Sequence, residues 1–226
     1  MAKDLAIVLN NGGVNAAVAS ALAAQKYRPI LVYVETEAAG APGCRSAYDQ
    51  QVAHYKPFRE HTIAMPFFAP RDGAAPVAAA SAGSVDPRVH PPLGPQMVRL
   101  LPLVAAAVRF AADYQAAAVY LGLRVGPRGD ELAQATEYVQ VWNELVQMPC
   151  AQAELEVVTP LLELEPWQVV DLGFQVAAPL ERTWSCEGDG PEPCGSCRGC
   201  RDRDAAFQQA AKPDPLRAGG RDKVTR

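Results

Sequence analysis

Histidine is scarce in this chain: His54, His61 and His90 are the three among 226 residues. A metal shell built on imidazole is therefore short of material, and thiols become the natural alternative. Long apolar runs are also missing, and none approaches the roughly 20 residues that a membrane-spanning helix needs. Charge of one sign is not in excess, because a formal net charge of −4 and a pI near 5.4 give no whole-chain attraction for nucleic acid. After Met1-Ala2-Lys3-Asp4 there is no apolar leader of the secretory type, so the thiols are expected to stay reduced and the protein to be cytoplasmic. The length allows one large α/β domain, or a domain with a small appendage.

What is present is concentrated near the end. Cys186, Cys194, Cys197 and Cys200 are four of the six cysteines, and two consecutive two-residue gaps let a tight loop aim three sulfurs at one centre while Cys186 closes the fourth corner. Tetrahedral zinc requires this arrangement. Gly195 and Gly199 suit it, since a knuckle backbone tolerates positive φ as its N–H groups approach thiolates. An iron–sulfur cluster is the rival reading, although a ferredoxin run wants a further cysteine followed by proline, and Cys200 is followed by Arg201-Asp202. Cys44 and Cys150 lack a partner pattern and read as ordinary small side chains, one in a loop and one beside a strand.

In chain order, the apolar run of residues 5–9 ends in Asn10-Asn11-Gly12-Gly13, after which Val14, Ala17, Val18, Ala21 and Leu22 recur at helical spacing. A strand, a glycine turn and a helix follow from this, and the turn's N–H groups make a candidate anion site. A second strand is expected at 30–34, with Glu35 and Glu37 at its carboxyl end, then a helix at 47–59 and a strand at 61–67 in which His61 is structural. Residues 69–96 are rich in Pro, Ala, Gly and Ser and read as a long loop. A helix from Met97 with Leu101, Val104, Ala105 and Val108 on one face leads to a strand at 118–122. A loop at 124–131 precedes a helix whose Leu132, Ala135, Tyr138, Val139, Trp142, Leu145 and Val146 form a core stripe. A fifth strand at 155–160, a helix from Pro166 closed by Gly173, and the cysteine segment complete the order. The organisation expected is an α/β domain at 1–180, a zinc module at 181–210 and a flexible tail at 211–226.

With these elements placed, the chain resembles the 7-cyano-7-deazaguanine synthases of the PP-loop ATP pyrophosphatase group. The likeness rests on Thr183-Trp184-Ser185-Cys186 with Cys194, Cys197 and Cys200, on Thr159-Pro160-Leu161, and on Gly122 followed by Glu137-Tyr138 and Asn143. It implies a five-stranded parallel, Rossmann-like sheet of the adenine nucleotide alpha-hydrolase kind with a structural zinc. It also implies ATP, with magnesium, on Asn11, Gly12, Gly13, Asn15 and Arg99, and substrate on Glu137 and Asn143. The family reaction adenylylates 7-carboxy-7-deazaguanine, lets ammonia displace AMP, and then activates and dehydrates the amide to a nitrile.

The chemical positions depart from the family. Its Ser-Gly-Gly-x-Asp-Ser turn reads Asn11-Gly12-Gly13-Val14-Asn15-Ala16, which keeps both glycines but gives up the hydroxyls and the carboxylate. An amide at Asn15 supplies no negative charge for magnesium. The Pro-Gly-Arg-Asn turn reads Met97-Val98-Arg99-Leu100, a Gly-Tyr-Pro-Asp-Cys-Arg run reads Gly129 to Ala135, and a lysine position holds Pro166. The expected function is thus a synthase-like protein divergent in substrate or reduced in activity, with a non-catalytic zinc-containing relative as the alternative. The partners expected are a small-molecule substrate or nucleotide, with a homodimer as a candidate assembly, and neither membrane nor nucleic acid. No catalytic residue is assigned.

Overall fold

The computed structural model describes residues 4–35, 40–65, 93–150 and 155–217. Five strands, β1 (Leu5–Leu9), β2 (Arg28–Glu35), β3 (Arg59–Ala64), β4 (Ala118–Leu121) and β5 (Glu156–Val158), pair in parallel in the order β3-β2-β1-β4-β5. The strands β1, β2 and β4 lie inside the sheet and are buried on both faces, which is why they read as unbroken apolar runs. At one edge β3 alternates, and at the other β5 is three residues long.

Helices cover both faces. On one lie α3 (Leu93–Tyr114) and α4 (Gly129–Cys150), which pack Met97, Val104, Trp142 and Val146 against Ile7, Val32 and Val119. The other face carries α1 (Val14–Lys26) and α2 (Ala41–Tyr55), backed by α5 (Pro166–Gln175) and α6 (Arg198–Gln209). Helix α1 is nearly half alanine and largely buried, with Ala16, Ala17, Ala19 and Ala23 at 5% exposure or less. Small side chains let it lie close to the sheet while α5 packs on its outer side. Among the described residues no helix is long and apolar enough to cross a membrane.

Several expectations shift. Helix α2 starts at Ala41, so Cys44 lies in a helix and not in a loop; Gly40 in the left-handed region and Pro42 in the first turn start it early. Helix α3 starts at Leu93, inside the stretch read as loop, whose remaining residues lie outside the described ones, as does Glu37. Helix α4 takes in Gly129–Glu131, and Gly173 lies within α5, where a Cβ would press on Leu180 and Val18 at 3.1 Å. The inward stripes are also rotated from those expected. Leu101 on α3 and Tyr138 and Leu145 on α4 face solvent, while Met97, Val104, Ala107 and Ala111 carry the α3 contact. With alanine both inside and outside α3, its periodicity is weak. His61 is structural, stacked on Phe110 and bonded to Tyr114 Oη at 2.8 Å.

Candidate functional site

In a parallel sheet of this order the crevice opens where the strand order reverses, between the carboxyl ends of β1 and β4. The glycine turn sits there. Gly12 has a φ of +78°, and a Cβ on it would lie 2.3 Å from the Cys44 carbonyl oxygen. Asn15 Nδ2 donates to the Gly122 carbonyl at 3.3 Å, and a Cβ on Gly122 would meet the Asn15 backbone at 3.0 Å. The strand-end glycine is therefore what allows β4 to touch the first turn of α1.

A buried network holds the turn from below. Asn10, 2% exposed, accepts from Gly12 N at 2.8 Å and donates to Ser20 Oγ at 3.0 Å and Gln51 Oε1 at 2.9 Å. Gln51 Nε2 donates to the carbonyls of Gly12 and Arg182, both at 3.0 Å. Above, Gly13 N donates to Asn11 Oδ1 at 3.0 Å. The amides of Gly12 and Gly13, which the sequence suggests for an anion, are thus bonded to the side-chain oxygens of Asn10 and Asn11. The N–H groups of the first turn of α1 complete the set of donors, as Gly13 gives the helix no side-chain cap. Neither Ser20 nor Gln51 carries a local signal in the sequence.

The remaining expected residues lie on other elements. Arg99 is exposed in the second turn of α3 and Glu137 is exposed on α4, both on the opposite face of the sheet from α1. Asn143 accepts from Val157 N at 2.7 Å and donates to Val157 O at 3.3 Å. Its amide thus mimics a sixth strand along the free edge of β5, where unpaired backbone groups would otherwise be left. Glu35 is exposed at the end of β2.

The four cysteines do converge. The sulfurs of Cys186, Cys194, Cys197 and Cys200 all lie within 4.8 Å of one another, and those of Cys186 and Cys197 are 3.9 Å apart. Four sulfurs about 2.3 Å from one zinc ion stand about 3.8 Å apart at the corners of a tetrahedron. Backbone amides of Gly188 and Cys194 donate to Cys186 Sγ at 3.3 Å, that of Cys197 to Cys194 Sγ at 3.3 Å, and those of Glu187 and Cys200 to Cys197 Sγ at 3.4 Å. Such donors stabilise thiolates. Gly195 uses its positive φ of +73° as expected, whereas Gly199 is needed for close approach, since a Cβ there would lie 1.8 Å from Ser185 O. The Cys44 thiol is pushed up by burial and by the neighbouring charge of Cys186, which places it beside this site.

The cysteine segment is docked on the glycine turn. Trp184 N donates to Gly12 O at 2.9 Å, and the Trp184 indole covers Gly43, where a Cβ would lie 2.2 Å from the ring. Asp189 accepts from Gly40 N at 2.9 Å at the start of α2. Behind it, buried Arg203 donates to Thr183 Oγ1 at 2.7 Å and Leu180 O at 3.0 Å and pairs with both oxygens of Asp214 at 2.6 and 2.8 Å. Residues 211–217, expected in a flexible tail, are held by this pair; residues 218–226 lie outside the described ones.

Fold and site together define a doubly wound α/β protein with a four-thiol, metal-binding segment docked against a glycine turn at the switch point of its sheet. A family model described as Queuosine biosynthesis protein QueC matches residues 95–211, more than half of the sequence, and the chain belongs to that family. The 7-cyano-7-deazaguanine synthase of Acidobacterium capsulatum is 26% identical over 95% of this chain and 96% of its own length. Those of Thermosynechococcus vestitus and Methanothrix thermoacetophila are 31% and 32% identical, each over 50% of this chain and about half of their own length. Among solved structures, NMN synthetase from Francisella tularensis superposes with a TM-score of 0.46 at 14% identity, covering 94% of this chain and 79% of that one.

Proposed function

We propose that the chain is a divergent 7-cyano-7-deazaguanine synthase that keeps the family's zinc-clamped scaffold and a weak nucleotide site at Gly12-Gly13, with the family reaction strongly attenuated. One observation carries this reading: the side-chain oxygens of Asn10 and Asn11 hold the Gly12 and Gly13 amides. Beside them stands Asn15, a neutral amide turned to the Gly122 carbonyl. A phosphate must displace Asn11 to reach Gly13 N, and no carboxylate at 15 stands ready to share magnesium. The first-turn amides of α1 keep a partial positive charge for an anion, so the cradle is weakened without being abolished.

Zinc suits the four thiols by donor type and by spacing. Cys186, Cys194, Cys197 and Cys200 would hold it; bound there it would supply no reaction chemistry and would tie Cys186 to the Cys194–Cys200 knuckle, next to Trp184, whose amide bonds to the glycine turn. Arg99 and Glu137 lie on α3 and α4, across the sheet from α1, and are left out of the proposed nucleotide contacts.

The test is AMP release from ATP, magnesium, ammonia and 7-carboxy-7-deazaguanine by the zinc-loaded protein, set against a synthase with an intact Ser-Gly-Gly-x-Asp-Ser turn. Loss of one developing-charge donor costs about 100-fold to 1000-fold in rate, and a deficit of at least that size is expected. Equal turnover overturns the attenuation. The same bonded glycine amides favour a second reading, a non-catalytic relative that binds a small ligand or a protein partner. Titration calorimetry separates the two: heat with ATP supports the first, and neither heat nor thermal shift supports the second.

A further inference from the structure

We infer that Arg124 supplies the cation that meets the phosphates of a nucleotide at the first turn of α1, so that this site takes ATP without magnesium. The inference deepens the nucleotide reading above and rests on it. The alternation of β4 carries past the end of the strand. Leu121, Leu123 and Val125 are buried in the core under α3 and α4, whereas Tyr120 is buried on the α1 side and a Cβ on Gly122 would meet the Asn15 backbone at 3.0 Å. A period of two puts Arg124 on the α1 side as well, about 7 Å beyond Gly122. Its surroundings agree. Arg124 Nη1 and Glu165 Oε1 come within 3.8 and 3.9 Å of the place a Cβ on Gly126 would take, and Asp202 on α6 also acts on the guanidinium. The first turn of α6 leads back to the glycine turn, since Gly199 abuts Ser185 O and a Cβ on Gly13 would lie 3.8 Å from Trp184 O. Arg124 and the first turn of α1 therefore border one crevice.

Arg124 lacks a close counter-charge. Among the described residues it makes no hydrogen bond and no ion pair, and it is only partly exposed. Each acid near it is engaged elsewhere: Glu165 accepts from the backbone of Gln168 in the capping box of α5, and Asp202 Oδ2 faces Arg198 Nε at 3.4 Å. The neighbouring cation, Arg128, is paired with Glu131 at 2.5 Å. Burial is the largest influence on the Arg124 guanidinium and draws its pKa down, against the opposing charge of Glu165. A part-buried cation with no counter-charge in contact is unfavourable, and an arriving anion relieves it. A guanidinium fork matches phosphate oxygens two at a time, and the first-turn amides of α1 supply further donors. Magnesium has no comparable seat. Asn15 offers an amide where a carboxylate would be needed, and among the described residues the four thiols are the one group of three or more metal-ligating side chains that could hold an ion. A fixed guanidinium thus takes over the neutralisation of the phosphates.

Titration calorimetry of the full zinc-loaded chain with ATP, in the presence and absence of magnesium, tests it, with adenosine as the ligand that lacks phosphate. The unaltered chain is expected to bind ATP equally within about 3-fold in the two conditions. Arg124→Gln should weaken ATP at least about 10-fold in both and leave adenosine unchanged, and Arg124→Lys, which keeps the charge without the fork, should fall between. In the ligand-free protein Arg124→Gln should melt no lower than the unaltered chain, since a part-buried charge with no close counter-charge has been removed. ATP heat that appears only with magnesium overturns the inference and leaves the nucleotide reading standing. So does an Arg124→Gln chain that melts lower and binds ATP as before, which marks an arginine that merely braces Glu165 and Asp202. No heat with ATP in either condition overturns both. The magnesium comparison uses the unaltered chain and stays decisive even if Arg124→Gln fails to fold.

Discussion

The side-chain oxygen of Asn11 accepts from the amide of Gly13 at 3.0 Å, along the direction from which an anion would approach. The contact is exposed, so exchanging it for a ligand oxygen sacrifices one ordinary hydrogen bond, about 1 kcal/mol. Asn11→Ala is therefore expected to tighten ATP binding about 5-fold in titration calorimetry, because the amide no longer has to be released. Asn10 is different. It is buried and also satisfies Ser20 and Gln51, so Asn10→Ala should lower stability by about 2–3 kcal/mol, measured by denaturant unfolding.

Gly199 has no room for a side chain, since a Cβ there would lie 1.8 Å from Ser185 O. Gly199→Ala must push Ser185 and the adjoining Cys186 away from Cys197 and Cys200. Zinc measured by emission spectroscopy should fall from one per chain to well below one. Gly94→Ala, where nothing lies within 4 Å of the added carbon, is the matched control and should keep the full complement.

Metal uptake should release protons, and more of them on the acid side. Backbone donation from Ser196 and Cys197 brings the Cys194 thiol down to about 6, and burial pushes Cys200 up to about 12. At pH 7 the metal-free site thus holds Cys194 ionised and Cys200 protonated, and zinc must displace the Cys200 proton. Below about 6 the Cys194 proton must leave as well. Zinc affinity from chelator competition should therefore rise with pH throughout, with a slope steeper by one proton on the acid side.

The Arg203–Asp214 pair is almost fully enclosed, its side chains 4% and 7% exposed. Removing one member leaves the other charged and buried, which costs about 3–5 kcal/mol. Asp214→Ala should lower the melting temperature by about 10 °C. It should also free residues 211–217 to faster hydrogen exchange. Lys212→Ala, whose ion pair with Asp171 is exposed and 3.8 Å long, should do neither.

Legibility differed by residue for physical reasons. The cluster of Cys186, Cys194, Cys197 and Cys200 could be read because thiols that could share a metal stand at short, fixed spacings along one segment. The turn at Gly12-Gly13 could be read because an apolar run followed by glycines and a helical period is a local pattern. Asn143 could not be understood that way. Its bonds to Val157 come from an edge strand fourteen residues on, and the same amide in a sequence also suits a ligand. Nor could Asp214 be separated from its polar, proline-rich surroundings before Arg203 came to meet it.

By itself the sequence determined the parallel α/β plan, the four-thiol centre and the glycines that only a tight turn accepts, since each depends on neighbours within a few residues. Tertiary structure alone decided that Asn10 and Asn11 hold the turn's amides, that Trp184 docks the cysteine segment onto Gly12, and which sides of α3 and α4 are left in solvent. Those outcomes depend on pairings between distant segments, and hydrogen-bond satisfaction and close packing settle them once the chain has folded.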